Sequence, residues 1–197
     1  MTEQETQPQS PSRPPFLVRR RTVFTWLIPL LLLAAVYHFH RDDGGLASLV
    51  GGIVFVFLGE VVRFWAAGYI SKDEIVTTGG PYAHVRNPLY FGSLLLTVGY
   101  GLVSGLGIYG VVAMVVFFTI FHLAAIRYEE GFLTQKFGAA YVQYLTQVPR
   151  LLPSPIARTH GEGQYSWAQS LRNREHISAL FAVGFIVLLA ACRYLVH

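Results

Sequence analysis

The sequence predicts an all-α, polytopic membrane protein: a bundle of about five transmembrane segments, including a tight helical hairpin, with an amphipathic helix on the cytoplasmic side. Three observations lead there. Of the 197 residues, 53% are apolar and 13% charged, where soluble domains carry roughly 25% charged residues. The apolar residues gather into runs long enough to cross a hydrocarbon core of ~30 Å. The basic residues behind the net charge of +4 punctuate those runs rather than forming the solvated patch that nucleic acid would require. A disordered chain and a coiled coil are excluded by the same composition, and a disulfide-stapled module by the single cysteine, Cys192.

The elements follow in chain order. Residues 1–18 begin MTEQETQPQSPSRPP, too poor in apolar side chains to offset ordering entropy, and read as a disordered tail. Residues 19–197 read as one membrane domain. Arg19, Arg20 and Arg21 precede an apolar run over residues 22–39. That run is long for a signal sequence, has no small-x-small cleavage site and is followed by further spans, so it is read as an anchor. After a polar turn at residues 40–45, a second run covers residues 46–70. A third, over residues 89–126, is too long for one span, and Ser104-Gly105-Leu106-Gly107 is where it folds into arms at 89–103 and 108–126. The first arm is short enough to require tilt or partial re-entry. The last span is 176–194. Lys and Arg concentrate in the tail, at Lys72 and Arg86, and from Arg127 to Arg174, which predicts a cytoplasmic N-terminus, an outer C-terminus, and residence in a bacterial inner membrane or an endoplasmic-reticulum type of membrane.

Chemistry concentrates on the cytoplasmic side. Glu60 and Arg63 fall inside the second run at i and i+3, share a helical face and can pair. They read either as a structural ion pair near the interface or as the border of a site entrance. Residues 72–92, KDEIVTTGGPYAHVRNPLYFG, pack a Gly-Gly-Pro turn, aromatics, His84 and Arg86 into a span boundary, with Asn87 as a candidate cap and Pro88 in the first helical turn. In residues 127–153, Leu133, Phe137, Tyr141, Tyr144 and Val148 recur at helical spacing and predict one amphipathic interfacial helix. Glu129 and Glu130 emerge where anionic lipid disfavours them and call for a cation: Arg86, Arg127 or a ligand's ammonium. His38 and His40, two apart, face different ways, so no metal site is expected. His122 is expected to hydrogen-bond a neighbouring helix, Tyr165 and Trp167 to lie in an aromatic belt.

Those two stretches resemble the isoprenylcysteine carboxyl methyltransferases and the related phospholipid methyltransferases of membranes. The resemblance rests on Gly80-Pro81-Tyr82, Arg86-Asn87-Pro88-Leu89-Tyr90-Phe91-Gly92, Glu129-Glu130, Phe137-Gly138, Tyr141, Tyr144 and Pro153, preceded by Arg63-Phe64-Trp65-Ala66. The family's Arg-His-Pro histidine is Asn87 here, which donates through its amide but cannot titrate near neutral pH; His84 is the nearby alternative. The resemblance implies S-adenosylmethionine as methyl donor. It implies cofactor contacts at Tyr82, His84, Val85, Arg86, Asn87, Pro88, Tyr90, Gly92, Glu129 and Glu130, with Arg86, Asn87 and Glu130 as catalytic residues and Glu60 and Arg63 at the substrate entrance. Arg86 suits the donor's carboxylate, and Glu129 or Glu130 its ammonium. The partners implied are membrane lipids and a lipophilic or lipidated acceptor, entering between the second span and the hairpin. A carboxylate acceptor needs no general base; phospholipid N-methylation and a non-catalytic lipid- or partner-binding role are the alternatives.

Overall fold

The structure is a computed structural model that describes residues 21–39, 44–70, 76–161 and 163–195, with the backbone alone for residues 21–28. The predicted tail, the turn at residues 40–43 and Lys72 lie outside the described residues. Seven α-helices and no strands are found among the described residues: α1 (Arg21–Phe39), α2 (Gly45–Tyr69), α3 (Pro88–Val103), α4 (Gly107–Phe137), α5 (Ala139–Gln147), α6 (Trp167–Arg172) and α7 (Glu175–Leu195). A 3-10 turn, Gly80–Ala83, precedes α3. Helices α2, α4 and α7 are long and apolar enough to cross a membrane; the 16-residue α3 is a shorter apolar helix, and α1 has 19 residues. The chain is an integral membrane protein built as a helical bundle. Large apolar side chains such as Phe57, Val112, Val116, Ile120 and Leu180 are exposed, as expected of lipid-facing surfaces. Val112, Val116 and Ile120 step by one helical turn along a single face of α4.

Lipid offers helices no hydrophobic reason to associate, so close packing of small residues takes over. The contact between α2 and α3 is the most extensive in the bundle and is made glycine against glycine. A Cβ added at Gly52 would lie 2.7 Å from the carbonyl oxygen of Gly99, and one at Gly99 the same distance from that of Gly52. One turn pair further in, Gly59 and Gly92 repeat the arrangement at 2.7 and 2.8 Å. Both positions are seven residues apart on their own helices, so the two rows run antiparallel in register. This packing closes the expected route between the second span and the hairpin: no lipid tail passes between backbones at that distance.

The hairpin folds where the sequence places it. Gly105 and Gly107 adopt positive φ values of 74° and 61°, a conformation that costs a side-chain-bearing residue and costs glycine nothing. Ser104 Oγ donates to the carbonyl of Gly101 at 2.6 Å and receives the Leu106 amide at 3.3 Å. At the same end, buried Arg193 of α7 donates to the carbonyls of Val103 (3.2 Å) and Gly45 (2.8 Å) and to Ser48 Oγ (3.1 Å). The end of α3, the start of α2 and the end of α7 are thereby joined, and Leu32, Val36, Val103, Leu106, Met114 and Leu189 pack as a core beside them.

Two expectations are corrected at the opposite end. The helix that carries the fourth span runs on past residue 126: α4 continues unbroken to Phe137, 31 residues or about 46 Å at 1.5 Å per residue. The predicted single amphipathic helix is accordingly split, because Gly138 (φ 58°) breaks the chain between α4 and α5. Its apolar face nevertheless converges, with Tyr141, Tyr144 and Val148 buried against Leu133, Phe137 and Val76. Carbonyls at the end of α2 that have no partner within their own helix are met by the α6 region, Asn173 Nδ2 on Ala67 and the Ser166 amide on Gly68, and Ser170 Oγ adds a bond to the Phe64 carbonyl.

Candidate functional site

A cavity of about 500 Å³ opens between the start of α3 and the C-terminal half of α4 and is roofed by α5, within the 300–1,000 Å³ usual for small-molecule sites. Its walls carry Tyr82, Arg86, Asn87, Pro88, Tyr90 and Glu129 among the predicted residues, and Leu133, Phe137, Tyr141 and Tyr144 from the amphipathic face. The loop before α3 is held by a strap formed by residues 149–159. The Arg86 amide donates to the Pro149 carbonyl (2.8 Å), the Ser154 amide to His84 (2.9 Å), the Arg158 amide to Ala83 (2.8 Å), and Thr159 Oγ1 to Thr78 (2.7 Å). The Tyr144 hydroxyl adds a bond to the Tyr82 carbonyl at 2.8 Å. Gly80, at φ 55°, lies against the Tyr69 ring, where a Cβ would come within 2.4 Å of it.

Beside the cavity sits a buried ionic knot. The Glu130 carboxylate, 4% exposed, lies between two guanidinium groups. Arg86 Nη1 is 3.3 Å from Oε1, and Arg150 reaches Oε2 through Nη2 at 2.8 Å and Nε at 2.9 Å. Asn87 Nδ2 donates to Glu130 Oε1 at 3.1 Å and to the Arg150 carbonyl at 3.0 Å. Asn87 occupies the N-cap position of α3 without a side-chain capping bond, because its amide nitrogen is turned toward Glu130 and a cap needs an acceptor. Arg86 retains one buried donor, Nε, with no hydrogen-bond partner. Glu129 sits on the cavity wall and accepts from the Tyr90 hydroxyl at 2.9 Å. Burial holds the phenols around the cavity neutral: it is the first cause of the raised pKa of Tyr82, Tyr144 and Tyr141, the last pushed up to about 12 with nearby Glu130 adding to the effect.

A model of the phospholipid methyltransferase family matches residues 45–140, from the start of α2 into α5. The cobalt-zinc-cadmium resistance protein CzcN of Cupriavidus metallidurans is 30% identical over 179 residues, covering 87% of this chain and 81% of that protein. The chain belongs to the phospholipid and isoprenylcysteine methyltransferase family. Protein-S-isoprenylcysteine O-methyltransferase of Schizosaccharomyces pombe is 32% identical over 83 residues, 42% of this chain and 35% of that one. Protein-S-isoprenylcysteine O-methyltransferase B of Arabidopsis thaliana is 33% identical over 114 residues, 52% of this chain and 57% of that one. No solved structure matches.

Within this methyltransferase-family chain the predicted residues sort by position. Tyr82, Arg86, Asn87, Pro88, Tyr90 and Glu129 face one cavity. Glu130 braces Arg86 from behind, and Val85 is buried at 2% exposure. His84 does not line the cavity: its Nδ1 lies 2.9 Å from the Ser154 carbonyl, which ties the ring to the strap. Gly92 serves the crossing with Gly59. Arg127, offered as a partner for the acids, is exposed. Arg150 was legible only as a topology charge, and its partnership with Glu130 across 20 positions left no local signal.

Glu60 and Arg63 do not pair with each other. Arg63 Nη2 bonds Glu175 Oε2 of α7 at 2.9 Å and Nη1 bonds Ser93 Oγ of α3 at 2.7 Å, while Glu60 Oε1 accepts from Ser178 Oγ at 3.3 Å. The better geometry across helices draws the guanidinium away from its own-helix neighbour. Arg63 borders a second cavity, about 760 Å³, between α3, α4 and α7. That cavity meets the first through two rings: Tyr90 lines the first, His122 lines the second, and they pack edge to face with centroids 5.7 Å apart. The ring of His122 thus packs against Tyr90 of the neighbouring helix, but the hydrogen-bond contact at its Nδ1 is with the Phe118 carbonyl of its own helix at 3.1 Å, not with the neighbouring helix as expected.

Proposed function

We propose that the protein transfers a methyl group from S-adenosylmethionine to the carboxylate of a lipophilic acceptor at the cytoplasmic face of the membrane, with its N-terminus on that side. The observation that carries the donor assignment is the buried, unpartnered Nε of Arg86 in the wall of a cavity that also presents Glu129. The donor's amino-acid portion bears one carboxylate and one ammonium, and these two side chains supply the opposite charges. Neutral phenols at Tyr82, Tyr141 and Tyr144 offer ring faces for a purine.

The donor supplies an electrophilic methyl on a sulfonium; the chain supplies placement and dryness. Arg86 is held by Glu130 at Nη1 and lines the cavity, where guanidinium donors not taken by Glu130 can meet a carboxylate. Tyr90, fixed by Glu129, stands between the two cavities and offers its ring face to positive charge. The acceptor is assigned to the cavity between α3, α4 and α7, whose wall is apolar apart from Arg63, Ser93, Thr97, Tyr100, His122 and Ser178. Arg63 is the guanidinium on that wall which a carboxylate head group can meet. A carboxylate is already ionised near neutral pH, so alignment and water exclusion are what the protein must contribute.

The test is equilibrium binding of S-adenosylmethionine and its demethylated product to purified protein in detergent. Arg86→Ala is expected to abolish binding of both while the protein melts as a single folded species. Binding undiminished in that variant would sink the donor assignment. For the acceptor, a lipid extract incubated with a radioactive methyl donor is expected to yield base-labile methyl esters; base-stable methylamines would replace the carboxylate reading with N-methylation.

A further inference from the structure

On the other side of α7 lies a third cavity, a groove of about 760 Å³ between α2 and α7. Along its length it is apolar, with Ile53, Phe57, Ala179 and Val183 among its walls, and its one charged wall residue is Glu60. Phe64, Trp65, Tyr165 and Trp167 close its cytoplasmic end, and those rings contact one another: Phe64 and Trp167 at 6.0 Å, Tyr165 and Trp167 at 5.3 Å between centroids. It shares no wall residue with the donor cavity.

Glu60 is poorly served by the protein. One oxygen receives a long bond from Ser178, and the other, Oε2, is buried with no hydrogen-bond partner. Its nearest cation by sequence, Arg63, is committed to Glu175 and Ser93. The set Glu60, Arg63 and Glu175 therefore holds two carboxylates to one guanidinium, in a place where an uncompensated charge is expensive. A hydrogen-bonding cation at Oε2 would remove the imbalance, and an aromatic rim is the surrounding such a cation favours.

We infer that the groove between α2 and α7 holds an amine-headed phospholipid of the bilayer, its ammonium hydrogen-bonded to Glu60 beneath the aromatic rim and an acyl chain along Phe57 and Val183. The lipid is a resident ligand, not the methyl acceptor, since the groove opens away from the donor cavity. The interaction surface is specific for a primary ammonium because Oε2 needs a donor that also carries positive charge: choline has the charge without an N–H, and glycerol has hydroxyls without the charge.

The protein is reconstituted without methyl donor in nanodiscs of one acyl composition and three head groups: phosphatidylethanolamine, phosphatidylcholine and phosphatidylglycerol. Phosphatidylethanolamine is expected to raise the melting midpoint by several degrees over the other two, the scale on which a filled site moves a chain of this size. Glu60→Gln is expected to erase that difference. Equal midpoints in the three lipids, or a gain that survives Glu60→Gln, would overturn the inference. Should the variant not fold, the wild type carries the test: a phosphatidylethanolamine with a photoreactive acyl chain is expected to label peptides of α2 and α7 and be competed by unlabelled phosphatidylethanolamine but not phosphatidylglycerol. Labelling spread evenly over the lipid-facing helices would count against it. No methyl transfer is read in either arm, so the outcome is independent of the proposed reaction.

Discussion

The two adjacent acids at the end of the fourth span show how one residue's step along a helix changes its work. Glu130 faces inward and is consumed by Arg86, Arg150 and Asn87, whereas Glu129, about 100° round the helix, lies on the cavity wall with the Tyr90 hydroxyl. Removing one partner of a buried ion pair leaves the other charge unpaired, at a cost of about 3–5 kcal/mol. Glu130→Gln is therefore expected to lower the thermal midpoint of the protein markedly, as measured by a melt without ligand. Glu129→Gln is expected to leave that midpoint within a degree or two and to weaken donor binding instead, as measured by calorimetry. If both variants melt alike, the division of labour between the two acids is wrong. Sequence alone could mark the pair as costly and place it where an apolar run ends. It could not decide between them, because that choice depends on Arg150, 20 residues further on and across a chain break at Gly138.

At the scale of elements, glycine positions that look alike in the sequence separate by what a methyl group would meet. Gly59 and Gly99 face carbonyl oxygens at 2.7 Å, so Gly59→Ala or Gly99→Ala must push α2 and α3 apart. Each is expected to cost about 1–3 kcal/mol by overpacking, visible as a lowered melting midpoint. Gly131, with nothing within 4 Å of an added Cβ, sits mid-helix in α4; Gly131→Ala is expected to stabilise by up to about 1 kcal/mol through helix propensity. A destabilised Gly131→Ala together with a neutral Gly99→Ala would contradict the packing described. The hairpin at Ser104–Gly107 was readable because turn chemistry is local. The continuation of α4 past residue 126 was not. Hydropathy ends at Arg127, but backbone hydrogen bonding does not, and the break comes only where Gly138 takes a positive φ. The pairing of Arg63 with Glu175, 112 positions away, was hidden for the opposite reason: Glu60, one turn away on the same helix, looked sufficient.

For the whole molecule, the proposed orientation puts the hairpin tip outside and the donor cavity inside. Tyr109, 73% exposed beside the tip, and Gln143, exposed on α5, are suited to report it. On a Cys192→Ser background, Tyr109→Cys is expected to react with a membrane-impermeant maleimide added to intact cells, and Gln143→Cys only after permeabilisation. The reverse pattern would invert the topology and place the donor cavity where no cytoplasmic methyl donor reaches it.

Arg193 gives this arrangement a fulcrum. By clasping the first turn of α2 and the last carbonyl of α3 from the tip of α7, it makes the far side of the bundle the joint of a pair of tongs. The jaws are then the opposite ends, held by the strap across the loop before α3 and the Glu130 knot, together with the Gly59–Gly92 crossing and the Arg63–Glu175 pair. In the proposed orientation, a ligand entering that cavity is expected to part the helices at the jaws while the Arg193 joint holds the outer side shut.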